Sequence, residues 1–312
     1  VSEELFVGFD DRRVATERGT VFARVAGSGP AVLLLHGYPQ THLMWHGVAP
    51  ALAERCTVVA ADLPGYGDSF RPVPAPDHRP HGKRALAQDL VQAMRALGHE
   101  RFVVAGHDRG GRVAYRMALD HPDVVLAAAA FDVVPTGEVW GRADAAMAVA
   151  YWHWGFLAQP APLPERMIAA DPGAFFDLHV RRLGLGREPG RYPDALMAAY
   201  RHLLDSADVV EAICEDYRAG AGVDREDDDA DRGRRRITCP LLVLWSATGA
   251  LPRFYGDVLD VWRPWATDLR GHAIEASHFL VEDQPEQVAR ALLALLDDLP
   301  SAVPPVRTEE HA

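Results

Sequence analysis

The chain has 312 residues, 48% of them hydrophobic, and 44 Asp and Glu against 32 Lys and Arg give a formal net charge of -12. That length and apolar content suit one large core with an insertion better than a string of small modules, and an acidic chain without a basic stripe excludes nucleic acid as its partner. The cysteines, Cys56, Cys214 and Cys239, are scattered without paired spacing, which suggests neither a disulfide framework nor a metal knuckle, and Cys56 and Cys239, beside strand-like runs, read as small core residues.

The first ten residues lack a basic region ahead of an apolar run, and no run is long enough to span a bilayer, so a soluble, cytoplasmic protein with no membrane partner is expected. No fixed period repeats, which excludes solenoids and propellers. Residues 6–9 and 14–17 are read as an antiparallel pair, followed by an extended segment at 19–25. The continuous apolar run 31–35 predicts a strand buried on both faces. It ends in His36-Gly37-Tyr38-Pro39, a turn at the carboxyl edge of a sheet, where backbone N–H groups can point into a crevice. The N–H of Tyr38, with that of Arg109, is therefore a candidate donor to an oxyanion, and His36 reads as a structural hydrogen-bonding residue. A helical stretch at 45–55 leads to a strand at 57–61 and a Gly- and Pro-punctuated loop at 62–69, in which Asp62 reads as stabilising a turn. Residues 85–97 carry apolar side chains at helical spacing.

The apolar run 102–105 then enters Gly106-His107-Asp108-Arg109-Gly110, and a helical pattern follows at once. This is the layout of a nucleophile elbow, Gly-x-Ser-x-Gly, with a carboxylate where the hydroxyl stands. Taken alone, the stretch also fits a Gly-rich turn whose Asp caps a helix. The next apolar run, 124–131, ends in Asp132, which lands on the same sheet edge as Asp108 because parallel neighbours end together. Asp132 is thus a candidate to orient a histidine, and a loop-capping Asp fits the local sequence equally well.

From 136 to 236 the alternation of strand and helix stops, and the chain reads as helices broken by turns, a cap inserted between strands. Its last part, the mixed-charge run 225–236, reads as a solvated helix end or loop. Strands resume at 241–245 and 269–274, His278 follows the last of them, and an Ala- and Leu-rich helix is expected at 285–296. The division expected is a core of 1–135 and 237–298, a helical cap of 136–236, and a flexible tail of 299–312. The fold class is α/β, a doubly wound, mostly parallel sheet. Asp108, Asp132 and His278 each follow a strand, so nucleophile, acid and base converge although far apart in sequence.

Together, His36-Gly37-Tyr38-Pro39-Gln40-Thr41-His42, Gly106-His107-Asp108-Arg109-Gly110-Gly111-Arg112, Tyr151-Trp152-His153-Trp154, Phe156-Leu157-Ala158-Gln159-Pro160 and His278-Phe279-Leu280 resemble the motifs of α/β-hydrolases. Within that fold they resemble the haloacetate or fluoroacetate dehalogenases, over about 9–296. The resemblance implies an α/β-hydrolase fold with a helical cap, Asp108 as nucleophile, His278 as base and Asp132 as its partner. It also implies Arg109 and Arg112 on a substrate carboxylate, and His153, Trp154 and Tyr217 around a halide. It implies a small 2-haloacid and water as reactants, no cofactor or metal, and a homodimer. One departure is Tyr38, where related proteins commonly carry Phe, which alters the pocket's polarity and leaves catalysis intact.

Elementary chemistry supports these assignments. A carboxylate attacks a carbon–halogen bond without prior deprotonation, and the resulting ester has a carbonyl that activated water can cleave. Arg109 and Arg112, three apart, can share a helix face near the substrate carboxylate. Fluoride is a poor leaving group and needs hydrogen-bond donors in place, which His153, Trp154 and Tyr217 supply. An epoxide hydrolase is the rival reading. It has no need of paired Arg, and its acid usually follows a later strand, yet the loop 246–252 holds no carboxylate. A non-catalytic ligand receptor is the third, since fold does not fix function.

Overall fold

The computed structural model of the chain describes residues 2–185 and 192–299. Strands β1 (Asp10–Ala15), β2 (Thr20–Ala26), β3 (Ala31–Leu35), β4 (Thr57–Ala61), β5 (Phe102–His107), β6 (Val125–Phe131), β7 (Leu241–Ser246) and β8 (Leu269–Ile274) form one sheet in the order β1-β2-β4-β3-β5-β6-β7-β8. β1 pairs antiparallel with β2, and β2 with β4; every pairing from β4 across to β8 is parallel. The chain leaves β3 for β4 on one side and returns to β5 on the other, so a crevice opens where β3 and β5 end. Every residue of β3 and β5 is buried, as continuous apolar runs require when helices cover both faces.

The helices that matter for the site are α1 (Ala49–Ala53), α2 (Lys83–Ala96) and α3 (Arg109–Asp120), then α4 (Trp152–Leu157), α5 (Pro172–Leu183), α6 (Asp194–Leu203) and α7 (Ala207–Ala221) between β6 and β7. Beyond β7 lie α8 (Ala250–Tyr255), α9 (Leu280–Asp283) and α10 (Pro285–Asp297). Local chemistry starts α5 where it starts: Asp171 accepts from the Ala174 N–H ahead of it, with Pro172 in its first turn, a side-chain cap followed by a residue that needs no N–H partner. Among the described residues no helix is long and apolar enough to cross a membrane.

Two expectations shift. The first hairpin pairs residues 10–15 with 20–25, not 6–9 with 14–17. β1 is an edge strand with only Val14 buried, so its pairing is carried by backbone and no apolar alternation marks it. Phe6 and Phe9 instead pack edge to face at 5.1 Å and are buried. The helical stretch expected at 45–55 divides into a 3-10 turn, His42–Trp45, and α1, whose first turn contains Pro50. The expected tail lies outside the described residues apart from Leu299.

Candidate active site

Asp108 leaves β5 with φ 46 and ψ -113, a backbone conformation that costs an L residue about 1–3 kcal/mol. Its neighbours permit it. A Cβ on Gly106 would lie 2.2 Å from the Gly110 oxygen, and one on Gly110 would lie 2.5 Å from the oxygens of Leu35 and His36. Only glycine lets strand and helix approach so closely. The Asp108 carboxylate therefore stands at the carboxyl edge of the sheet. There the Tyr38 N–H donates to Oδ2 at 3.0 Å, and Arg109, the first residue of α3, follows directly. Burial works against ionisation of Asp108, but His278, Arg109, His107 and Arg112 outweigh it and lower its pKa to about 2. The carboxylate is ionised throughout the neutral range.

His278, in the turn after β8, places Nδ1 2.6 Å from Oδ2 of Asp132. Asp132 is held from two sides: its Oδ1 accepts from the Ser246 N–H at 2.9 Å, and its own N–H donates to the Leu244 oxygen at 2.7 Å. Like Asp108 it has positive φ, 50. With Nδ1 engaged, Nε2 of His278 is the nitrogen left for a proton transfer. Burial opposes a charged imidazole here, yet the hydrogen bond and charge of Asp132, aided by Asp108, raise its pKa above the ordinary 6.5. His107 fixes the same turn by donating from Nε2 to the His278 oxygen at 2.8 Å.

The turn is also tied to the helices between β6 and β7. In α9, buried Glu282 accepts from the Tyr200 hydroxyl of α6 at 2.9 Å and from the Gln40 amide. Burial, aided by the charge of Asp283, pushes the Glu282 pKa up to about 8 against the hydrogen bonds from Tyr200 and Gln40, which lower it. A folded pKa above the unfolded one means that stability is lost as pH rises from 4.5 to about 8, at up to about 1.4 kcal/mol per pH unit. Glu282→Gln is accordingly expected to leave the melting temperature unchanged near pH 5 and to raise it at pH 9. Thermal unfolding of both proteins across that range checks this; a variant less stable at pH 9 counts against a neutral Glu282.

A cavity of about 340 Å³ opens above Asp108, lined by Asp108, Asp132 and His278 from the sheet edge, Arg112 from α3, His153 and Trp154 from α4, and Tyr217 from α7. His153 and Trp154 are the second and third residues of α4. The helix meets the cavity with its first turn, as adjacent residues about 100° apart require if both are to reach one space. His153 is buried, and burial, with His179 next, pushes its pKa well below the ordinary value, so it is a neutral imidazole with one N–H to give.

The two arginines are not equivalent. Arg112 lines the cavity, lies 4.6 Å from the Trp154 ring centroid, and is steadied from Nη1 by the Val134 oxygen at 3.0 Å and Thr136 Oγ1 at 3.1 Å. Arg109 sits one layer back, 4.2 Å from the Tyr217 ring centroid. Its Nε donates to Asp216 Oδ2 at 2.7 Å, and its Nη2 to the Asp216 backbone oxygen at 2.8 Å and to Oδ1 at 2.9 Å. Nη1 is buried without a protein partner.

Two residues of this neighbourhood escape the sequence reading, Asp216 and His179. His179, on α5, is buried with its ring 4.5 Å from that of His153, and neither of its nitrogens has a protein partner. No local spacing marks either residue; both reach the site only through tertiary packing. Other residues take structural positions. His36 accepts from the Leu63 N–H at Nε2, 2.9 Å, and donates from Nδ1 to the Gly37 oxygen. Asp62 accepts from the backbone of His42 and Asp68. Among the described residues no group of three or more His, Cys, Asp or Glu is arranged to hold a metal ion.

The alpha/beta hydrolase fold family matches residues 30–285. A fluoroacetate dehalogenase from Burkholderia sp. is 44% identical over 299 residues, covering 96% of this chain and 97% of the relative. A soluble epoxide hydrolase from Corynebacterium sp. (strain C12) is 30% identical over 266 residues, covering 84% and 88%. Among solved structures, an alpha/beta hydrolase from Nostoc sp PCC 7120 superposes with a TM-score of 0.90 at 44% identity, covering 94% of this chain and 99% of that one.

Proposed function

The chain belongs to the alpha/beta hydrolase family, and from that premise we propose that it hydrolyses short 2-haloacids, converting fluoroacetate to glycolate and fluoride. The observation that carries this reading is the company Asp108 keeps. A carboxylate ionised down to about pH 2 shares one cavity with a cationic side chain, Arg112, and with His153, Trp154 and Tyr217 on the inserted helices. A neutral substrate gives that cation nothing to bind, whereas a haloacid's carboxylate needs it to approach a second anion.

In the first step an Asp108 oxygen attacks the carbon bearing the halogen, and the carbon–halogen pair leaves as halide onto the N–H and O–H donors of His153, Trp154 and Tyr217. An ester on Asp108 results. In the second, His278 Nε2 takes a proton from water as its oxygen adds to the ester carbonyl. Tyr38 and Arg109 N–H groups receive the oxyanion, and collapse expels the hydroxyacid, which takes the proton back from His278. Asp108 is regenerated carrying one oxygen from water, and the second proton of that water leaves its carboxyl for solvent, as a group with a pKa of about 2 requires.

A single turnover in heavy-oxygen water, followed by peptide mass analysis, tests this: the label should appear in the peptide containing Asp108 before it appears in product. Label entering product alone sinks the ester mechanism. The second reading, an epoxide hydrolase, draws on two phenols, Tyr151 and Tyr217, lining the same cavity, where they can activate an epoxide oxygen. Parallel assays of fluoroacetate, chloroacetate and styrene oxide separate the two, since epoxide opening without halide release selects the second.

A further inference from the structure

Arg109 is adjacent to a buried carboxylate nucleophile, and in a low-dielectric site an unrestrained guanidinium would collapse onto that carboxylate. It does not, because Asp216 takes two of its three nitrogens in a forked contact and adds its own backbone oxygen. Asp216 is itself pinned from the core: the Tyr66 hydroxyl donates to its Oδ2 at 3.0 Å, and Lys83 Nζ of α2 bonds its Oδ1. Lys83 is in turn held by Asp224, whose Oδ1 accepts from the Lys83 N–H at 2.7 Å and whose Oδ2 lies 3.3 Å from Nζ. All four charged side chains are buried. A chain of charges so confined has little freedom to rearrange, and the single uncommitted nitrogen, Arg109 Nη1, is buried beside Tyr217 and Trp154, the side chains that line the cavity.

We infer that Asp216 is a positioning residue for substrate recognition: backed by Lys83 and Tyr66, it holds the Arg109 fork against the Tyr217 ring, one layer behind Arg112, so that a second positive charge stands behind the place where Arg112 meets the substrate carboxylate. The inference rests on the haloacid reading above and adds to it the residue that sets the geometry of the carboxylate site. Because Asp216 belongs to α7 while Lys83 and Tyr66 belong to the core, seating of the inserted helices and recognition of the acid become one event.

The sign of one measurement separates positioning from simple electrostatics. Asp216→Asn removes a negative charge near an anion site, so an electrostatic role alone lowers KM for chloroacetate. Positioning raises it, by about tenfold with kcat within about threefold, because what is lost is carboxylate binding common to ground and transition states. Single-turnover alkylation of Asp108 by neutral chloroacetamide should stay within about threefold of wild type in the same variant. Tyr66→Phe, which removes one pin and no charge, should raise KM for chloroacetate by about threefold, and it decides the matter if Asp216→Asn does not fold. An unchanged or lowered KM in the variants overturns the inference, as does equal loss with chloroacetate and chloroacetamide. Wild-type protein that releases no halide from any haloacid fails the function itself, and that result is read before any variant is made.

Discussion

Asp108→Ala is expected to abolish haloacid turnover, lowering kcat/KM by about 10⁴-fold or more. The size follows from what the side chain supplies. Water in its place is a far weaker nucleophile toward a tetrahedral carbon, and no other carboxylate oxygen stands behind the carbon–halogen bond when the substrate carboxylate is on Arg112. Asp132 lines the cavity too, but both its oxygens are committed, one to His278 and one to the Ser246 N–H. Halide release is the readout, with circular dichroism to confirm folding. Retention of more than a hundredth of wild-type activity would falsify the assignment of Asp108 as nucleophile.

His278→Gln is expected to separate the two halves of the reaction. Attack by Asp108 needs no base, so the first halide is released within about tenfold of the wild-type rate, while ester hydrolysis slows by about 10³-fold or more. One halide per protein and a stable mass adduct on the Asp108 peptide are the signatures; steady turnover without adduct points to another base. The pH dependence carries a matching sign. Although burial disfavours the imidazolium, Asp132 raises the His278 pKa above 6.5, so kcat climbs as pH rises through that raised value and neutral imidazole accumulates. Asp108, at about 2, does not contribute to this limb. Stability runs the other way: the His278–Asp132 interaction is fully present below 6.5 and is lost as pH rises through the folded pKa. Asp132→Asn should move the acid limb of kcat to lower pH.

The parallel core was readable because burial on both faces writes itself as unbroken apolar runs, such as 31–35 and 102–105, punctuated by glycines whose spacing makes sense only at a close strand–helix approach. Asp108 and Asp132 were readable for the same reason, as each follows such a run, whereas the strand ahead of His278, Leu269–Ile274, carries Arg270 and His272 and is buried only at Ile274. β1 was not, since an edge strand of Asp, Asp, Arg and Arg satisfies its backbone without any apolar signature. The pair of short helices after β7, Ala250–Tyr255 and Val258–Trp262, was passed over because neither is long enough to show a period. The difference between Arg109 and Arg112 lay further out of reach. Spacing along one helix says that two arginines share a face, and only the tertiary position of Asp216, over a hundred residues away, says that one of them is already taken.

The acid's place after β6 has a consequence for how this protein can be remade. The Asp132 carboxylate accepts from β7 only the backbone N–H of Ser246, so in the proposed mechanism no side chain of the following loop takes part in the proton transfer. Yet Thr248, Ala250, Arg253 and Phe254 from that segment form a wall of the cavity. Library design for bulkier or differently charged haloacids can begin on that wall at Arg253 and Phe254, where substrate scope is open to redrawing while Asp108, Asp132 and His278 are left as they are.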